Sequence, residues 1–296
     1  MIPPPPFTLA DAARRDFWLE LCPALSIGRE LPAPIARPLD LDELHARLGK
    51  EGYVQEPDVL PREFTDRLRD AIERLHARGI PAGYAFVYDE FWLVFRGFAP
   101  FLARALDPGY RVLPAFWAWR IAPSDAAAGW SAHRDRPQSL DADGTPQSLS
   151  IWLPLGDATP LNGCMYVLPA HRDIHFKLRQ WAKPPPISFN AESVQDLRAL
   201  PATPGSLLAW NQALLHWGAR ASDRGGAPRI SISVEFQRSD RPAFEPGLID
   251  PTRPPDFEAR LGLIGRLFLA YAKFHKMNSP ALLGLATELR DTFFRP

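Results

Sequence analysis

The sequence predicts an α+β fold in which a β-barrel centre is flanked by helices at both ends of the chain. Three observations predict it. Short β-prone runs between about residues 110 and 237 are separated by Pro, Gly, Asn and Asp. Before and after them, apolar residues return at helical spacing. Within Arg229–Phe236, polar and aliphatic residues alternate strictly, as a strand with two unlike faces requires.

The chain has 296 residues and 46% hydrophobic content, enough to bury a substantial core as one domain. Thirty-three prolines fall partly at positions 3–6, 23, 32, 34 and 38. Proline fixes φ and removes a backbone donor, so residues 1–39 read as an extended Pro-rich arm, with room for one short helix over Leu9–Leu21. Residues 40–296 read as a single domain, with the barrel core over 110–237 and C-terminal helices over 256–293.

Asp40 can cap a helix, with Glu43 three residues on and Leu41, Leu44 and Leu48 at helical spacing, ending at Gly49. Pro61 suits a first-turn position, and Phe64, Leu68, Ile72 and Leu75 form the apolar stripe of a second helix before Gly79. Tyr84–Phe98 is aromatic-rich without periodicity, so strand and buried helix stay equal readings. Arg111–Ile121, Ser148–Leu155, Cys164–Leu168, Ser206–Trp210 and Arg229–Phe236 are the predicted strands. Asn162-Gly163 supplies turn chemistry, which predicts that the strands on either side pair as an antiparallel hairpin. After Pro255, Phe257, Leu261, Ile264, Phe268 and Tyr271 share one helix face, and Pro280 opens a last helix to about Phe293.

Composition excludes several function classes. Lys+Arg and Asp+Glu stand at 34 each, and no basic stripe is present, so nucleic acid is not an expected partner. No stretch approaches the roughly 18 apolar residues of a spanning helix, and the first residues lack a signal-peptide pattern. A soluble, cytoplasmic protein with a small-molecule substrate and no membrane partner is expected; the sequence assigns no oligomeric state. Cys22 and Cys164 are the two cysteines, too few for a disulfide framework or a cysteine zinc cluster.

The chemistry is carried by Ser131-Ala-His133-Arg-Asp135. Two residues apart in extended backbone, the imidazole and the carboxylate project to one side. His216 follows in Leu214-Leu215-His216-Trp217-Gly218, and two histidines with one carboxylate make the facial set that leaves positions open on non-haem iron. His-x-Asp by itself is weak; what strengthens it is the strand after His216. There Arg229, Ser231, Ser233 and Glu235 line one face, and inside a barrel they would offer a forked cation and hydroxyls to a carboxylate.

These segments, together with Ser150-Ile-Trp152-Leu-Pro-Leu, Asn162 to Pro169 and Pro204 to Trp210, resemble the phytanoyl-CoA dioxygenase (PhyH) family of iron(II)/2-oxoglutarate oxygenases over roughly residues 40–237. The resemblance implies a double-stranded β-helix, the jelly-roll or cupin-like barrel. It implies that His133, Asp135 and His216 bind Fe(II), that Arg229 with Ser231 holds the distal carboxylate of 2-oxoglutarate, and that Trp152 borders this cosubstrate. It implies a dioxygenase that uses O2 to oxidise a C–H bond of a small organic molecule, hydroxylation being the favoured outcome, with release of succinate and CO2. Because Asp135 is retained, halogenation is disfavoured. The chain departs from the family pattern at Ser206, at Pro169-Ala170-His171 and at bulky Trp217.

Trp119, Arg120 and Trp217 are candidate substrate contacts by proximity to the motif. Arg172, His175, Lys177, Arg179 and Lys183 form a basic run that reads first as a solvated loop. His171 and His175 lack a third ligand for zinc, and His45, His76 and His275 read as helix-surface residues. Two other readings compete: a metal cupin that needs the triad but not Arg229, and a non-catalytic barrel that binds without turnover.

Overall fold

The computed structural model describes residues 6–123, 129–177, 187, 189, 191–275, 277 and 279–295. The chain opens with helices α1 (Leu9–Ala12), α2 (Arg15–Leu21) and α3 (Leu41–Glu51), then strand β1 (Tyr53–Glu56) and helix α4 (Arg62–Ala77). Two 3₁₀ segments, Ala82–Val87 and Val94–Phe98, bracket α5 (Asp89–Leu93), and α6 (Ala99–Ala105) follows. The strands come next: β2 (Arg111–Ile121), β3 (Ser148–Pro154) and β4 (Met165–Leu168), then short helices α7 (Ile174–Lys177) and α8 (Ala191–Asp196). Strands β5 (Arg198–Leu200), β6 (Leu207–Asn211), β7 (Leu215–Gly218) and β8 (Arg229–Gln237) complete the sheets, and α9 (Phe257–Ala270) and α10 (Pro280–Phe293) close the chain.

The strands form two antiparallel sheets, β1-β6-β3-β8-β2 and β5-β4-β7. This is the jelly-roll arrangement the sequence predicts, built as two sheets rather than a closed barrel. Strict alternation sorts the side chains. Leu149, Ile151 and Leu153 of β3 and Ile230, Ile232, Val234 and Phe236 of β8 join the core shared with the helices. Trp152, Leu208, Trp210, Met165 and Val167 form a second, smaller core between the sheets. All nine residues of β8 are buried, so the polar face of this strand lies inside the molecule and not against water.

Several expectations need correction. Residues 7–27 of the expected extended arm pack against the main core instead, while residues 29–39 run without helix or strand. Phe7, Ala12, Trp18, Cys22, Leu25 and Ile27 are buried in the main core. Trp18 is fully buried, stacks on Tyr84 at 5.7 Å and donates its indole N–H to the Ala12 carbonyl at 2.8 Å. Farther along, Asp89 accepts from the amides of Gly28 and Arg29 and pairs with Arg260 of α9 at 2.7 Å, tying the start of the chain to its end. The prolines punctuate this segment, but its aromatic side chains decide where it goes. Trp18→Ala is expected to cost about 3–5 kcal/mol of unfolding free energy in a denaturant titration; a change near that of a surface substitution, about 0.5 kcal/mol, would show that the segment does not pack.

Helix α3 passes through Gly49 and stops at Gly52, whose φ of +80° is the left-handed cap. A Cβ at Gly52 would also stand 2.8 Å from Leu214, so two constraints meet there. Asn162-Gly163 is a turn but not a hairpin. The strands on its two sides belong to different sheets, because β3 pairs with β6 and β8 while β4 pairs with β5 and β7. Tyr84–Phe98 resolves as short helical turns, buried throughout except at half-buried Arg96, with Asp89 and Glu90 held by polar partners. His275 is buried against Trp117, with ring centroids 5.0 Å apart, and is no surface residue.

Candidate metal and anion site

Two backbone hydrogen bonds build the centre. The amide of His133 donates to the His216 carbonyl and the amide of His216 to the His133 carbonyl, each at 3.0 Å. The segment 130–136 therefore runs as an extra antiparallel neighbour of β7, extended further by Trp130 to Gly218 at 2.9 Å and Arg136 to Gln212 at 2.8 Å. In that register the two imidazoles face each other at 4.5 Å between centroids, and Asp135, two residues on, projects to the same side. Arg134 points the other way, where it donates to the Ala213 carbonyl and pairs with buried Asp173, which pins the segment.

The ligand atoms converge. Asp135 Oδ1 lies 3.4 Å from His133 Nε2 and 3.5 Å from His216 Nε2. Three atoms held about 2.1 Å from one ion at right angles would stand about 3 Å apart, so the set needs only a slight contraction around a cation. Each histidine hands its Nδ1 proton to a backbone carbonyl, His133 to Ser131 at 2.9 Å and His216 to Leu214 at 3.1 Å, which leaves both Nε2 lone pairs facing inward. Asp135 Oδ2 accepts from Ser150 Oγ at 3.0 Å and Trp210 Nε1 at 3.3 Å, fixing the carboxylate plane. The described residues contain one such group of three potential ligands.

Electrostatics prepare the set for a cation. Burial pulls His216 down to about 4, against the pull of Asp135, so its imidazole is neutral at ordinary pH. Burial would raise Asp135, but the imidazoles of His216 and His133 and the Ser150 hydroxyl outweigh it and hold the carboxyl well below its usual range. For His133, burial is outweighed by Asp135, and the imidazole is raised. Because His216 titrates lower in the folded chain than in the unfolded one, its share of stability is present above the unfolded value and lost as pH falls toward 4. In metal-free protein, an imidazole nitrogen NMR titration is expected to show His216 neutral down to about pH 4 while His133 protonates above the ordinary histidine value of 6.5. Joint titration of the two rings near that ordinary value would contradict this arrangement.

The same cavity, about 240 Å³ in volume, is lined at its other end by Arg229 and Trp152. Arg229 is 1% exposed and has no carboxylate partner among the described residues. Its Nη1 donates to the Gly163 carbonyl at 2.6 Å, and the guanidinium lies between the rings of Trp130 and Trp152, 5.6 Å from each. Burial pulls this group down to about 10. The Asn162-Gly163 turn thus acts by presenting a carbonyl to the arginine: with φ of +91° at Gly163 and only 2.4 Å from an added Cβ to the Ala219 oxygen, no other residue fits.

Three buried donors near this end have no hydrogen-bond partner: Arg229 Nε, Ser231 Oγ and Trp119 Nε1. Ser231 is two residues from Arg229 on the same face, and strand pairing sets Trp119 opposite Ser231. Of the other sequence candidates, Trp152 lines the cavity with its ring against Arg229. Arg120 does not reach the cavity; its Nε donates to Glu73 of α4 at 2.7 Å, because its side chain leaves the strand on the helix side. Trp217 alternates outward from His216, stacks on Tyr166 at 5.6 Å and meets Phe189 at a tilt, also at 5.6 Å. Arg172 pairs with Asp196, while Arg179 and Lys183 lie outside the described residues.

Sequence reasoning missed Arg136, Tyr271 and Phe274 as cavity residues and gave Glu235 a place on the polar face without a role. Glu235 was visible as the last polar residue of the alternating strand; the two aromatics come from beyond α9 and carry no local signal. Arg136 Nη2 bridges Glu235 at 3.1 Å and Glu245 at 2.5 Å. Burial and the nearby charge of Asp135 push Glu235 up to about 7 against the pull of Arg136.

Residues 102–226 match the phytanoyl-CoA dioxygenase (PhyH) family. Solved structures share the fold at low identity. The epimerase SnoN in complex with Fe3+, alpha-ketoglutarate and nogalamycin RO superposes with a TM-score of 0.54 at 18% identity, over 73% of this chain and 94% of that one. The non-haem monooxygenase ThoJ, as a nickel complex, gives 0.55 at 16% identity over 80% and 99%. The alpha-ketoglutarate-dependent carbocyclase SnoK gives 0.51 at 20% identity over 73% and 92%. No curated protein matches the chain. No described helix is long and apolar enough to cross a membrane.

Proposed function

We propose that this chain, whose residues 102–226 match the phytanoyl-CoA dioxygenase (PhyH) family, binds Fe(II) through His133, Asp135 and His216 and oxidises a C–H bond of a small organic molecule. Bound iron with 2-oxoglutarate and O2 supplies the oxidising power, releasing succinate and CO2. The observation that carries the keto-acid part of the reading is Arg229, a fully buried guanidinium without a counter-ion in the same cavity as the triad. Burying an unpaired charge is costly, so the fold keeps it for an anion that arrives.

The remaining work belongs to the protein's own side chains. Arg229 offers a forked donor to the distal carboxylate, and Ser231 and Trp119 add unpartnered hydrogen-bond donors beside it. Trp152 and Trp130 lie against the guanidinium of Arg229, a residue 1% exposed, and keep water from it. Ser150 and Trp210 hold the Asp135 carboxylate so that a single oxygen faces the metal position. Asp135 fills the position that a halide would need, which supports C–H oxidation, hydroxylation above all, over halogenation.

The test is succinate formation. With Fe(II), ascorbate and 2-oxoglutarate in air, the protein is expected to form succinate and the metal-stripped protein none. Absence of both succinate and keto-acid binding across a broad substrate panel would refute the proposal. A metal cupin that dispenses with the keto acid would instead show activity indifferent to substitution of Arg229.

A further inference from the structure

The end of the cavity away from Arg229 has a chemistry of its own. Along β8, Arg229 and Glu235 mark opposite ends of the polar face, and cross-strand pairing puts Glu235 beside Ser150, which holds Asp135. The cavity therefore has two ends: the Arg229 end, and a second compartment beside the triad bounded by Glu235, Arg136, Trp117, Tyr271 and Phe274.

Charge in the second compartment is internally balanced. Three arginines line the cavity among the described residues, Arg134 with its guanidinium turned away from it. Arg134 is paired with Asp173, and Arg136 with Glu235 and Glu245, the latter also 3.4 Å from Arg266. Two cations and two carboxylates thus close a network, and Arg229 alone is left over, for the cosubstrate. The charge of Asp135 that disfavours ionised Glu235 is countered once a cation sits on the triad.

The walls are aromatic and preformed. Trp117 stacks between Trp119 and His275, at 8° to each, so its faces are filled and the stack is rigid. Tyr271 and Phe274 stand at 60° and 89° to Trp117 and form a corner, and Phe274, 42% exposed, lies at the mouth. At the foot of this corner, Arg136 Nε is a buried donor with no partner, and the Glu235 carboxylate can accept.

Resting on the keto-acid reading, we propose that the substrate is an uncharged, flat ring-bearing molecule, with a hydroxyl or carbonyl oxygen received between Arg136 and Glu235. The cavity of about 240 Å³ must hold the keto acid as well, so it encloses one ring and its substituent while the rest of a larger substrate passes Phe274 to the outside. A polyanionic acyl-CoA finds no free cation there among the described residues.

Three probes that share the naphthalene ring and carry a neutral, an anionic or a cationic polar group test this by calorimetry: 2-naphthylmethanol, 2-naphthoate and 2-naphthylmethylammonium, titrated into protein saturated with Ni(II) and 2-oxoglutarate. The alcohol is expected to bind about tenfold or more tighter than either ion. Equal or tighter binding of an ion, or no binding of the alcohol, overturns the proposal. Without 2-oxoglutarate, naphthoate is expected to bind through Arg229 and to be displaced when the keto acid is added; if the keto acid displaces nothing, the keto-acid reading fails, and the alcohol's preference is still read separately. Glu235→Gln, which leaves the two guanidinium groups facing one carboxylate, is expected to shift the preference toward naphthoate about tenfold. Phe274→Ala, at an exposed position that folding tolerates, is expected to weaken the alcohol severalfold with 2-oxoglutarate affinity unchanged; an unaltered alcohol affinity in both variants contradicts the placement.

Discussion

The His216→Ala protein is expected to lose metal affinity by well over 100-fold and to form no succinate above the metal-free background. Removing an outer partner of a metal ligand already costs about 10–100-fold, and His216 is proposed here as a ligand itself. It is also the ligand whose burial keeps it neutral, so its lone pair is available without displacing a proton. Its backbone pairing with His133 does not depend on the ring, so the strand register is expected to survive. Calorimetric titration with Ni(II), alongside far-ultraviolet circular dichroism to show that the fold persists, checks both parts. Affinity within threefold of the wild type would exclude His216 from the site.

Arg229→Met is expected to separate function from stability. Deleting one partner of a buried, hydrogen-bonded charge pair costs about 2–5 kcal/mol, so 2-oxoglutarate affinity is expected to fall by at least about 30-fold, and on the order of 100-fold in the lower half of that range. The ligand-free fold carries this guanidinium without a counter-ion, and an apolar side chain of similar volume in place of an unpaired buried charge is neutral or stabilising. The melting temperature of the metal-free variant is therefore expected to equal or exceed that of the wild type. A large drop in stability with unchanged keto-acid affinity would make Arg229 a structural residue.

Periodicity made the strands and the long helices legible, because one buried face repeats every two residues in β8 and about every 3.6 in α4 and α9. The triad was legible for a related reason: His133 and Asp135 share a side by spacing alone, and the alternation through Arg229 and Glu235 exposed a polar face that a buried strand does not otherwise carry. What the sequence did not reveal depends on contacts between distant segments. The first residues fold back because Trp18 finds Tyr84 and Asp89 finds Arg260. Asn162-Gly163 announced a turn without showing that its carbonyl would serve Arg229. Arg120 was one residue away from the cavity face held by Trp119, and strand register alone decides which of the two enters. Tyr271 and Phe274 reach the cavity from beyond α9 through tertiary packing against Trp117.

The central claim is that one cavity holds a metal on the triad and a keto acid on Arg229 together. Anaerobic titration of 2-oxoglutarate into Fe(II)-loaded protein, followed by the visible charge-transfer absorption of a keto acid chelated to iron, tests it most directly. The wild type is expected to develop the band and saturate, and Arg229→Met to need on the order of 100-fold more keto acid for the same band. No band in the wild type, or superimposable titrations of the two proteins, would contradict the claim.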